Sequence, residues 1–245
     1  AWVIPMFPLL AFLLLIAFGR KPRFVGPFLG ITATFASLVV SVLIAAERWS
    51  SEANDYSHQI NWIHTASLHL TFGFEVNNIN ALMLLIVSLV SFLVNLYSLG
   101  YMENDERINV YYAYVALFTF SMLGLVISEN LLQLYIFWEL VGVSSFLLIG
   151  FWYDKPAAKA AAKKAFIVTR IGDVGLLAAI LLLYWNMPGH ALDFTSIHNV
   201  FSSPEPVLSA GLTTAVALLI LLGAAGKSGQ LPLHTWLPDA MEGPT

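Results

Sequence analysis

Apolar residues fall along this chain in long, nearly unbroken blocks separated by polar linkers. They follow neither the three–four spacing of a half-buried helix nor the strict alternation of a surface strand. Seven blocks stand out, at roughly 1–19, 26–46, 81–101, 111–128, 131–151, 165–186 and 208–226. Each approaches the ~20 residues that a helix rising about 1.5 Å per residue needs to cross a hydrocarbon layer about 30 Å thick. The pattern predicts an all-α fold, a polytopic transmembrane helix bundle of about seven spans. Glu129-Asn130 leaves almost no chain between the fourth and fifth blocks, which are therefore expected to be antiparallel neighbours. The longest linker is 47–80. Within it, Ser67-Leu68-His69-Leu70-Thr71-Phe72 alternates and is followed by Gly73, predicting a short strand or hairpin. The linker 187–207 contains Pro188-Gly189 and Pro204-Glu205-Pro206 and is expected to be irregular.

Composition reinforces the pattern. Hydrophobic residues make up 58% of the chain and charged residues 11%, against about 45–50% and 25% in soluble domains. Mean hydropathy is +0.77. A net charge of -4 gives no footprint for nucleic acid, and the absence of cysteine excludes disulfides, thiolate metal sites and Cys-ligated iron–sulfur clusters within this chain. If all seven blocks span, the linkers alternate sides. Arg20, Lys21, Arg23, Arg107, Lys155, Lys159, Lys163 and Lys164 then share one side, and only Arg48 lies on the other. The positive-inside rule places the basic side in the cytoplasm, and with it the N-terminus and the 47–80 loop outside. The chain opens within an apolar block with no basic region ahead of it, unlike a signal peptide. Gly243-Pro244-Thr245 looks like the approach to another helix. Both ends read as cut.

Four ionisable residues fall where charge is expensive: Glu139, Arg170, Asp173 and Lys227. A charge at the centre of a span costs about 2.5–3.5 kcal/mol on the translocon scale, so intramembrane ions are functional candidates. Glu139 is near the middle of the fifth block, where the structural alternative is a neutral acid hydrogen-bonded to a neighbouring helix. Arg170 and Asp173 are three residues apart and share a helix face, which also fits a self-neutralising pair that eases insertion. Lys227 is either a snorkelling lysine at a boundary or part of a break, because Gly226-Lys227-Ser228-Gly229-Gln230-Leu231-Pro232 disrupts the seventh helix while apolar character resumes beyond it. His234 follows that break as a candidate proton relay, with an interfacial histidine as the plain alternative. The remaining five histidines lie in predicted outer loops. Gly226-Lys227-Ser228 lacks the glycine a phosphate-binding loop would need at position 221, which is Leu. No His/carboxylate spacing suggests a metal.

At these residues the chain resembles a known family. Phe137-Trp138-Glu139 with Gly142 and Ser144-Ser145, then Arg170-Ile171-Gly172-Asp173, then the run from Gly226 through Leu231-Pro232-Leu233-His234-Thr235-Trp236-Leu237-Pro238 to Thr245 are similar to the antiporter-like subunits of respiratory complex I, and lean toward the subunit L type of NADH-quinone oxidoreductase. The large subunit of multi-subunit sodium/proton antiporters shares most of these motifs. The resemblance implies N-terminal helices over 1–110 and the first, truncated half-channel bundle over 111–245. It makes Glu139 the glutamate of the fifth helix and Lys227 the lysine at the break of the seventh. Arg170 and Asp173 become a sixth-helix ion pair toward a neighbouring subunit. It also implies no cofactor in this chain, with NAD, FMN, iron–sulfur clusters and quinone in partner subunits, and a multi-pass place in a bacterial cytoplasmic membrane beside other membrane subunits.

Three functions compete at this point: a proton-translocating subunit of a redox enzyme without its own redox centre, a sodium/proton antiporter subunit, and a scaffold. For the first, a Glu139–Lys227 pair is expected to work as the switch. Two unit charges interact by about 4 kcal/mol at 4 Å and about 2 kcal/mol at 8 Å when the effective dielectric is near 20.

Overall fold

A computed structural model describes residues 1–18, 22–50, 55–65, 68–203 and 208–244. Arg20 and Lys21 of the basic linker, Ser67 of the alternating run, the Pro204-Glu205-Pro206 stretch and Thr245 lie outside the described residues. The helices are α1 (Val3–Phe18), α2 (Val25–Ser50), α3 (Asn78–Tyr101), α4 (Ile108–Val126), α5 (Leu131–Ile149), α6 (Pro156–Asn186), α7 (Phe194–Phe201) and α8 (Ala210–Lys227). Between α2 and α3, strands β1 (Tyr56–Thr65) and β2 (Leu68–Val76) pair as a two-stranded sheet. The helical membrane bundle expected from the apolar blocks is what forms. Among the described residues six helices are long and apolar enough to cross a bilayer, and α1, with 16 residues, is apolar but shorter.

The block edges become helix ends for local reasons. Asn77, Asn130 and Asp193 each accept a hydrogen bond from the backbone N–H three residues on, at 2.9, 2.8 and 2.7 Å. These caps satisfy donors that an isolated helix start leaves open. α6 begins well before its apolar block because Pro156 opens a run rich in alanine, the strongest helix former. α7 corrects the expectation of an irregular linker at 187–207. Asp193 caps it, and Ile197 and Val200 pack on a core of Ala179, Leu183, Met187, Leu208 and Val216. The hairpin is also longer than the alternating run suggested, since β1 is mostly polar.

Two compact units form, one from residues 1–59 and 73–128 and the other from 60–72 and 129–245. In the first, α1–α4 bury a core of Ile4, Phe74, Val76, Ala81, Leu84, Leu123 and Ile127. Several polar groups inside it bond to backbone. Ser37 Oγ donates to the Ile4 carbonyl at 2.8 Å, and Tyr112 Oη to the Asn95 carbonyl at 2.8 Å. The Gly26 N–H donates to Asn109 Oδ1 at 2.9 Å. Arg48, only 9% exposed, binds Asp55 at 2.8 Å and Asn78 Oδ1 at 3.1 Å.

In the second unit, α6 and α8 run antiparallel in close contact. A Cβ at Gly172 would sit 3.0 Å from the Leu222 carbonyl oxygen and 3.1 Å from Gly226 Cα, and one at Gly223 would sit 2.9 Å from Leu176 Cβ. Without water to drive apolar surfaces together, helices in lipid associate through such close packing at small residues. Gly172 lies 16 residues beyond Pro156, about 24 Å along α6. The end of α8 therefore meets the middle of α6. Substituting Gly172→Val should destabilise the second unit by about 1–3 kcal/mol, the usual cost of overpacking. A lower thermal unfolding midpoint of the detergent-solubilised protein would show it, and an unchanged midpoint would contradict the packing.

Candidate functional site

The Gly172–Gly226 crossing carries the chemistry with it, because each glycine precedes a charged residue. Asp173 on α6 and Lys227 at the last turn of α8 are brought together, Nζ to Oδ2, at 3.5 Å. Arg170, one turn before Asp173 on α6, approaches the same oxygen at 3.8 Å and pairs directly with Glu139 on α5. The result is a row of alternating sign across three helices: Glu139, Arg170, Asp173, Lys227. The side chains are 22%, 31%, 0% and 16% exposed respectively, so Asp173 is fully buried and the other three partly so.

This order corrects the expected switch. Among the described residues no ion pair joins Lys227 to Glu139, and Arg170 takes the glutamate instead. The reason is register. The long Arg170 guanidinium takes Glu139 on α5, while Lys227, coming from α8, reaches Asp173 and the space beside Gly142. The Arg170–Asp173 pair does exist along α6, but it is not self-contained, since each member has a further partner on another helix. Lys227 is the last residue of α8, and its neighbour Gly226 packs against Gly172 in the middle of α6.

Neighbours that sequence reasoning passed over complete the site. Trp138 Nε1 donates to Asp173 Oδ1 at 2.6 Å. Gly142 leaves the space that the Lys227 ammonium fills, since a Cβ there would lie 2.6 Å from Nζ. Phe166 lies under the Arg170 guanidinium, 4.6 Å from ring centre to Cζ, a cation–π contact. Tyr135, one turn before Glu139, is within electrostatic reach of Asp173 and Arg170. Glu129, read only as a turn residue, is a second buried acid at the start of α5, 2% exposed. The pairing of Trp138 with the charge next to it in sequence was the one available signal, and it pointed at Glu139 rather than Asp173.

Beyond Lys227 the helix stops. Gly229 takes a φ of +61°, in the left-handed region that glycine tolerates. The following chain turns back, with Trp236 Nε1 donating to the Gly226 carbonyl at 3.0 Å and Asp239 binding Lys164 at 2.8 Å. His234 lies in this segment, exposed, and does not join the four charges. Among the described residues no three His, Asp or Glu side chains are grouped to hold a metal.

Comparison with known proteins agrees with the motifs. Residues 128–245 match the family described as "NADH:quinone oxidoreductase/Mrp antiporter, TM", and residues 62–112 match "NADH-Ubiquinone oxidoreductase (complex I), chain 5 N-terminus". NAD(P)H-quinone oxidoreductase chain 5 of Synechocystis sp. is 45% identical over 254 residues, a match to 100% of this chain and 37% of that protein. The chloroplastic subunit 5 of Mesostigma viride is 45% identical, matching 100% and 38%. The chain thus spans less than two fifths of these relatives. Among solved structures, the archaeal membrane-bound sulfane sulfur reductase, a respiratory membrane complex, superposes with a TM-score of 0.79 at 18% identity, over 97% of this chain and 46% of the matched one, a likeness of fold. The Mrp complex of Dietzia sp. superposes with a TM-score of 0.77 at 25% identity, over 98% and 25%. The chain belongs to the antiporter-like family of membrane subunits shared by NADH:quinone oxidoreductases and Mrp antiporters.

Proposed function

We propose that this chain is a proton-translocating membrane subunit of a complex I-type NAD(P)H:quinone oxidoreductase, with no redox centre of its own. The row Glu139–Arg170–Asp173–Lys227 carries this reading, because four ions held across α5, α6 and α8 form a path along which a proton's charge can be passed. The carboxylates of Glu139 and Asp173 and the amine of Lys227 are the groups able to take and give a proton. Arg170 stays protonated and acts as a steering charge. While it holds Glu139, Asp173 is left mainly to Lys227. When it swings toward Asp173, it competes with Lys227 for the same oxygen. With about 4 kcal/mol at stake per contact at 4 Å and about 2 kcal/mol at 8 Å, small displacements suffice to switch the row. His234, exposed beyond the end of α8, is assigned to proton exchange with water.

Residues 111–245 are read as part of one half-channel. NAD, FMN, iron–sulfur clusters and quinone are assigned to partner subunits, and the neighbour in the bilayer to another antiporter-like subunit. The host bilayer is assigned as a bacterial cytoplasmic membrane, although the relatives include cyanobacterial and chloroplast proteins. A sodium/proton antiporter is the second reading, favoured by the 25% identity to the Mrp complex. The 45% identity to quinone-oxidoreductase chains weighs against it.

In the intact complex, Glu139→Gln, Asp173→Asn and Lys227→Ala should each lower the proton-to-electron ratio strongly. Removing one partner of a buried ion pair costs about 3–5 kcal/mol, and a normal ratio in all three variants would remove the proposal. Proteoliposomes carrying the complex should show no electroneutral sodium/proton exchange without an electron donor. Such exchange, measured with a pH-sensitive dye under a sodium gradient, would transfer the chain to the antiporter reading.

A further inference from the structure

Asp173 is completely buried, and its Oδ1 accepts a hydrogen bond from a neutral group, the Trp138 indole, at 2.6 Å. Both cations approach the other oxygen, Oδ2, at ion-pair rather than hydrogen-bond geometry. The orientation of this carboxylate, and so which oxygen meets the cations, is therefore set from α5. One turn further along the same face of α5 is Gly142. A Cβ there would occupy space within 2.6 Å of the Lys227 ammonium and 4.0 Å of Arg170 Nη2. Trp138 and Gly142, four residues apart, thus touch the two ends of the Asp173–Lys227 pair, one by holding the acid and the other by leaving room for the base. Glu139 lies between them in sequence but engages neither end, since its partner is Arg170.

We propose that Trp138 and Gly142 are positioning residues that set the geometry of the Asp173–Lys227 pair. This deepens the pump reading and rests on it. Trp138 fixes the carboxylate so that Oδ2 faces both Arg170 and Lys227. Gly142 lets the ammonium reach that oxygen. The atom a methyl group at 142 would strike is the tip of a flexible side chain, so Gly142→Ala is expected to fold and to act by displacing Nζ. The charged and titratable groups facing the pair are Tyr135 and Glu139 on α5 and Arg170 on α6. A change in the pair's geometry alters its interaction with all three and must appear in the pH profile.

The test uses the full-length chain in its assembled complex, with membrane-inserted amounts of each variant matched. Trp138→Phe should reduce proton pumping per electron by about tenfold, the scale of one charge-assisted hydrogen bond, Gly142→Ala should lower it in the same direction, and each should displace the pH profile of pumping. In the Lys227→Ala background, Gly142→Ala should add nothing. In the Asp173→Asn background, Trp138→Phe should add nothing. Wild-type ratios and pH profiles in both single variants, or losses that fully add to those of the background, would overturn the positioning role while Asp173→Asn and Lys227→Ala still impair pumping. Normal pumping in Asp173→Asn and Lys227→Ala themselves would instead bring down the pump reading and this inference together. If Trp138→Phe does not assemble, the Gly142→Ala arm decides.

Discussion

Charge in hydrocarbon has to find opposite charge within the protein, and this constraint organises the second unit. Four isolated ions at mid-span would cost on the order of 10 kcal/mol on the insertion scale. The row Glu139–Arg170–Asp173–Lys227 offsets that by giving every ion a partner of opposite sign. Exposed ion pairs in water contribute about 0–1 kcal/mol. Here the alternative to pairing is not hydration but an unsatisfied charge. α5, α6 and α8 each carry part of the row, so pairing the ions ties these three helices together.

The backbone solves the same problem at the end of α8. A helix that stops opposite the middle of another exposes carbonyls where no bulk water is at hand, and irregular chain at such depth is tolerated only when buried in protein or lining a cavity. Trp236 donates to the Gly226 carbonyl, and the Gln230 N–H to that of Ala225 at 3.0 Å, while Ser228 Oγ donates to the carbonyl of Ala224. The partial negative charge that remains at a helix C-terminus favours a cation. Lys227 occupies that last turn. The break, the lysine and the capping tryptophan thus form one device, made possible by glycines 223 and 226, which let α8 approach α6 closely enough to place the lysine on Asp173.

Most of the fold was legible because a bilayer imposes a simple period: a long apolar block has few alternatives to a helix. α7 was missed because three prolines and a glycine in its linker masked an aspartate cap and a short apolar face. The four ions were also legible, since charge inside an apolar block has no bland default. Their pairing was not. Whether Glu139 meets Arg170 or Lys227 depends on the rotation and depth of three helices, and that register is written in Gly172 and Gly226, residues whose meaning appears only when two backbones touch. Trp138 and Gly142 were invisible for a related reason. An indole or a missing side chain inside a span has many structural uses, and only the atoms opposite reveal which one applies. His234 carried the opposite lesson: a titratable residue inside a specific motif is exposed and separate from the row.

The row sets two acids against one amine and one guanidinium, so with all four ionised its formal charges cancel. A proton arriving on either acid leaves a net positive charge in a poorly screened place. That imbalance is relieved when Lys227 gives up a proton, because Arg170 does not titrate. On the proposed function, entry and exit of protons are coupled by electrostatics: loading the Glu139 end would weaken the hold of the row on a proton at the Lys227 end. Such coupling depends on distances of a few ångströms, since the interaction between two charges halves between 4 and about 8 Å. On the same reading, Trp138 and Gly142, which carry no proton but hold Asp173 and leave room for Lys227, share in setting those distances.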